Sequence, residues 1–193
     1  MQPVRCIAGR YVVMSDANID TDQIIPARFM GGTVREGLGA RLFADRRRGS
    51  DGSLRTDFVL NAPAAAGAVI LVAGDNFGCG SSREHAVWAL LDYGLRAVVS
   101  TSFADVFRAN ALRNGLLAAT VSARVLRALV AAGPIAETAV DLERCAIAVP
   151  GAAGAPFSID RFARYCLLHG VDELDFLLRH GQAISAYEKG RTP

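Results

Sequence analysis

Apolar residues run unbroken over Ala68–Ala73 and recur at similar density over Leu95–Ser100 and Leu116–Val121, which predicts three strands. Ser82–Tyr93, Ser102–Asn114 and Ser122–Ala132 carry helical spacing, so strand and helix alternate as β-α units. Punctuation supports this: Ser102 with Asp105, and Ser122 alone, stand at N-cap positions, while Gly94, Gly115 and Gly133 close the three helices. Upstream, residues 4–14 (VRCIAGRYVVM) have the β-branched and apolar density of a first strand despite Gly9. Downstream, Ala139–Leu142 and Cys145–Val149 predict a hairpin or two short strands, followed by a Gly/Ala/Pro turn over 150–156. The tail at about 158–189 reads as amphipathic helical pieces broken at Gly170 and Gly181, with Phe162, Leu174, Leu177, Leu178 and Ile184 facing inward. From about 28 to 56 no period is visible, and Gly31, Gly32, Gly37, Gly39, Gly49 and Gly52 interleave with Arg35, Arg41, Arg46, Arg47, Arg48 and Arg55. Such a stretch predicts a flexible loop, either a lid over an anionic substrate or a solvated face.

At 193 residues, 51% hydrophobic and 21% charged, the chain is long enough for one domain over 1–193 with a sizeable core. A formal net charge of +2 gives no instruction toward nucleic acid or an acidic membrane. Met1–Arg5 do not begin a signal peptide and no apolar run approaches ~20 residues, so a cytoplasmic chain without a membrane segment is expected. Cys6, Cys79, Cys145 and Cys166 lie far apart with no C-x-x-C pair, and predict neither a disulfide framework nor a metal or cluster site.

Candidate chemistry concentrates in Gly74-Asp75-Asn76-Phe77-Gly78-Cys79-Gly80-Ser81-Ser82-Arg83-Glu84-His85, a glycine-broken turn between the strand ending at Ala73 and the next helix. Glycines let backbone approach a ligand closely, and a helix start welcomes an anion. Ser81 and Glu84 also fit the S-x-x-E capping box, which would spend the serine on a backbone N–H. A simple cap requires neither the adjacent Ser82 and Arg83 nor the preceding Gly78-x-Gly80, and the phosphate-loop, dinucleotide and G-x-S-x-G templates all fail. Cys79 reads as a small turn residue rather than a nucleophile, His85 as a structural histidine, and Asn110 and Arg113 as open between surface and site. Asp16, Asp20 and Asp22 crowd around Asn18 and Thr21, either as an Asx-rich turn capping a short helix or as a brace for a polar site.

DNFGCGSSREHAVWALLDYG resembles the signature of the 3-isopropylmalate dehydratase small-subunit family, relatives of the swivelling domain of aconitase. NIDTDQIIPARF and TSFADVFRANALRNGLL resemble that family's other two blocks, in order and spacing. The resemblance implies an α/β fold of the aconitase-like swivelling β/β/α type. It also implies reversible dehydration and rehydration of a 2-alkylmalate in leucine biosynthesis. Carried residue by residue, it makes Ser81 the base on the carbon-bound proton, Ser82 and Arg83 contacts for substrate carboxylates, and Thr21, Asp22 and Gly80 supports. Ile25 stands where aconitase has a hydroxyl residue, which fits a less polar substrate side chain, and Arg28, Arg35 and Arg41 are candidates for a further substrate arginine. No cofactor is expected on this chain; the resemblance places a 4Fe-4S cluster in a separate large subunit, the expected partner. Related hydro-lyases of citraconate, maleate, dimethylmalate or homoaconitate are the alternative within the class, and an RNA-binding module the alternative outside it.

Overall fold

The computed structural model describes residues 1–32 and 34–190; Thr33, inside the segment predicted as a loop, and residues 191–193 lie outside the described residues. Among the described residues seven strands close a barrel: β1 (Cys6–Met14), β2 (Ile70–Ala73), β3 (Ala97–Ser100), β4 (Leu117–Val121), β5 (Ile135–Asp141), β6 (Ala146–Val149) and β7 (Ala152–Ser158). Around it the order is β1-β2-β3-β4-β7-β6-β5, parallel from β1 to β4 and antiparallel at every other seam. Every residue of β2 and β3 is buried, which is why these strands read as unbroken apolar runs. Leu71, Ala73 and Val98 face one core with α3 (Glu84–Tyr93) and α4 (Asp105–Asn114), while Ile70, Val72, Ala97 and Val99 face a second core with α5 (Ala123–Ala131) and α6 (Arg161–His169).

Gly94 and Gly115 adopt left-handed backbone and close α3 and α4; Gly133 follows the end of α5. Ser122 caps α5 by accepting from the Val125 amide at 3.3 Å. Ser102 does not cap α4, which begins after Ala104 without a side-chain cap; its hydroxyl oxygen accepts from the Asn76 amide at 2.8 Å instead, while its proton goes to Asp75. The predicted turn over 150–156 is mostly strand β7, with the reversal confined to Pro150 and Gly151. Pro156 is accommodated because β7 pairs there with β6 alone and reaches β4 only at Phe157 and Ser158.

In the tail, α7 (Glu173–Arg179) and α8 (Gly181–Lys189) follow α6. Phe162 packs inward as expected, but Leu174, Leu177 and Leu178 are 63%, 53% and 68% exposed, and Ile184 is exposed too. Phe176 takes the inward position of α7, its ring 5.0 Å from Phe162 and 5.5 Å from Tyr165 centre to centre, which turns the leucines outward. Within 28–56 the chain makes short 3-10 turns at Ala27–Phe29 and Gly39–Arg41, and α1 (Thr21–Ile24) and α2 (Ala44–Arg47) flank and interrupt it. Leu38, Leu42 and Phe43 are buried in the core shared with α3, and Ala44 is buried as well.

Candidate functional site

The glycine turn leaves the C-terminal end of β2 and lies between two other segments. On one side the Gly78 amide donates to Ile19 O at 2.8 Å and the Thr21 amide to Cys79 O at 2.9 Å. On the other, the Phe77 amide donates to Ser102 O and the Ala104 amide to Phe77 O, both at 3.1 Å. The three blocks singled out in the sequence are therefore hydrogen-bonded neighbours. Gly78 holds φ +76°, and a Cβ there would overlap the Phe107 ring, so glycine is required both for the backbone and for the close approach. Phe77, Phe103 and Phe107 pack edge-to-face and stacked beneath, with centroids 5.1 to 6.3 Å apart.

The capping box does not form. Helix α3 starts only after Arg83, which has no side-chain cap, and the Glu84 carboxylate accepts from Asn114 Nδ2 at 2.8 Å on α4. Asn114 also accepts from the Trp88 indole at 2.9 Å, so α4 competes successfully for the group that would have reached back to Ser81. Ser81 and Ser82 are exposed, and neither hydroxyl has a partner among the described residues. Behind them the buried Thr21 hydroxyl donates to Ser81 O at 2.9 Å, and Asp22 pairs with the Arg83 guanidinium, whose side chain is only 13% exposed. Gly80, at φ +89°, passes against Thr21, a Cβ there falling 3.5 Å from its hydroxyl oxygen. All six expected site residues, Ser81, Ser82, Arg83, Thr21, Asp22 and Gly80, thus share one small region.

A polar bracket missed in the sequence holds the start of the turn. Asp75 Oδ1 accepts from the hydroxyls of Ser102 at 2.6 Å and Thr101 at 2.9 Å, and these bonds hold its carboxyl below the usual carboxylate range. Asn76 and Asn18, both with positive φ, join through their amides at 2.8 Å. The only sequence signal for them was a clustering of Asn, Asp and Ser next to glycine. Burial, and then the nearby Asp20, push the Cys79 thiol up, the opposite of an activated nucleophile. His85 Nε2 lies 3.0 Å from Gly32 O with its ring against Trp88, an anchored structural position.

The other candidates have partners of their own. Arg28 pairs with Asp45, Arg35 lies over Trp88 and Arg41 over Phe29, and Arg113 stands 3.8 Å from Glu173. Asn110 is buried on α4. Ile25 is fully buried in the core shared with α3, so its apolar character serves packing and carries no information on the substrate. Among the described residues no group of three or more His, Cys, Asp or Glu side chains is placed to hold a metal ion. No helix among the described residues is long and apolar enough to cross a membrane.

Residues 1–124 match the model of the aconitase C-terminal domain, which defines the class to which this barrel and its glycine turn belong. A 3-isopropylmalate dehydratase small subunit from Anaeromyxobacter dehalogenans (strain 2CP-C) is 56% identical, covering 99% of this chain and 100% of its own. One from Chloroflexus aurantiacus (strain ATCC 29366) is 53% identical, covering 97% and 95%. The crystal structure of 3-isopropylmalate dehydratase (leuD) from Methanocaldococcus jannaschii superposes with a TM-score of 0.70 at 25% identity, over 94% of this chain and 99% of that one. The chain belongs to the family of 3-isopropylmalate dehydratase small subunits.

Proposed function

We propose that this chain is the small subunit of a 3-isopropylmalate dehydratase, interconverting 2- and 3-isopropylmalate by loss and re-addition of water in leucine biosynthesis, in the cytoplasm. The observation that carries the proposal is the pair of exposed, unpartnered hydroxyls of Ser81 and Ser82 on a turn held from behind by Thr21 and Asp22. Ser81 Oγ takes the proton from the substrate carbon and returns it in the reverse direction. Ser82 and the remaining N–H donors of Arg83 hold substrate carboxylates. Serine is far too weak an acid to lose its proton unaided, so its oxyanion depends on the start of α3 and the Arg83 cation beside it. Gly80, Thr21 and Asp22 keep this geometry. Help for the departing hydroxide would come from a 4Fe-4S cluster on a larger partner subunit, as the family resemblance implies. No nucleic acid enters the scheme.

Dehydratase activity on 3-isopropylmalate is expected only when this chain is mixed with an iron–sulfur-loaded large subunit from the same organism, and from neither alone. Turnover by the isolated chain would refute the division of labour. Turnover of citraconate or a smaller alkylmalate in place of isopropylmalate would reassign the substrate. Ser81→Ala should lower turnover by roughly 10²-fold or more while assembly is retained, the scale of a lost general base; unchanged turnover would remove Ser81 from the chemistry.

A further inference from the structure

A cationic cavity lies within the segment running from Arg28 to Gly52. It has a volume of about 350 Å³ and is bounded by Arg28, Arg41, Arg48, Asp45, Phe29 and Ser50, with no residue of 74–85 in its wall. Arg28 is committed to Asp45 through two parallel bonds, one of 2.9 Å from Nη1 to Oδ2. Arg41 lies 4.8 Å from the centre of the Phe29 ring, the same ring that Arg28 covers at 4.6 Å. Arg48 gives one N–H to Gly52 O at 2.9 Å. Neither Arg41 nor Arg48 has a carboxylate partner among the described residues, so Asp45 offsets only one of the three guanidiniums.

Ring stacking and the carbonyl bond hold Arg41 and Arg48 in place with N–H donors to spare. Planar forks of that kind match carboxylate and phosphate oxygens two at a time. The volume is at the lower end of small-molecule sites. We infer that this cavity binds a small dianion, phosphate or a short dicarboxylate, at a site separate from the Ser81 turn. Three guanidiniums against the one carboxylate of the wall, with Asp51 beside Gly49 offsetting part of the excess, call for an anion, and the polar lining disfavours an apolar ligand.

The test is ¹H–¹⁵N NMR of the full chain titrated with inorganic phosphate, and in parallel with succinate, at constant ionic strength. Saturable shifts of the Gly49, Ser50 and Gly52 amides with at least one of the two are expected, weakened tenfold or more in the Arg41→Gln/Arg48→Gln double variant. The tighter of the two anions identifies the ligand class. Shifts that rise linearly, that are equal in wild type and variant, or that are confined to Gly78–Arg83 would overturn the inference. Repeating the titration with the large subunit bound separates a free ligand from an acidic side chain of the partner. Retained phosphate or succinate binding is expected; loss on assembly would give the cavity to the partner and overturn the free-ligand assignment.

Discussion

Replacing Thr21 by valine removes one hydroxyl from a side chain that is almost wholly buried and changes its volume little. The lost bond is the 2.9 Å donation to Ser81 O, made across 60 residues of chain. A neutral bond of this kind contributes about 0.5–1.5 kcal/mol net. The acceptor lies at an exposed residue where water can replace the donor, which places the cost near 1 kcal/mol. For a chain of this size that lowers the melting temperature by about 2–4 °C. If the bond also positions Ser81, the same energy appears in the transition state as about a fivefold fall in kcat/KM of the assembled enzyme, carried by kcat. The assay is therefore double: thermal unfolding of the chain, and turnover of the reconstituted complex. A melting temperature lowered as expected with kcat unchanged would refute the positioning argument and leave the bond purely structural.

Asp22→Asn should raise KM more than it lowers kcat, because it frees the mostly buried Arg83 from its carboxylate and lets the guanidinium leave the turn; an unchanged KM in steady-state kinetics would show that the pair does not orient it. Gly78→Ala should destabilise the chain by about 2 kcal/mol or more, from left-handed strain and overlap with Phe107, and a denaturation midpoint equal to wild type would refute that geometry. The Asp75 carboxyl is held low in the folded state, chiefly by Ser102 and then by Thr101. Its contribution to stability is thus full above the unfolded-state pKa of about 3.9 and is lost as pH falls through the folded value. Denaturation at pH 7 and near pH 3 should show a smaller acid-dependent loss in Asp75→Asn than in wild type.

Much of the architecture is legible one segment at a time. The strands β2 and β3 announce themselves because every residue in them is buried, and Gly94 and Gly115 mark helix ends because only glycine enters the left-handed turn cheaply. Local rules fail where a distant partner outbids a local one. Glu84 leaves its predicted capping box for Asn114, Ser102 spends its acceptor on the Asn76 amide and not on α4, and Phe176 displaces Leu174, Leu177 and Leu178 from the inward face of α7.

By itself the sequence determined which residues could do chemistry: a glycine turn with two consecutive serines and an arginine at a helix start, and a Thr-Asp pair near the N-terminus. Only the tertiary structure decided that these meet, that the strand order closes a barrel through β7, and that both serine hydroxyls have no partner among the described residues. Periodicity and turn chemistry are properties of neighbours along the chain, whereas strand order and the choice among competing hydrogen-bond partners depend on groups brought together from 30 to 60 residues away.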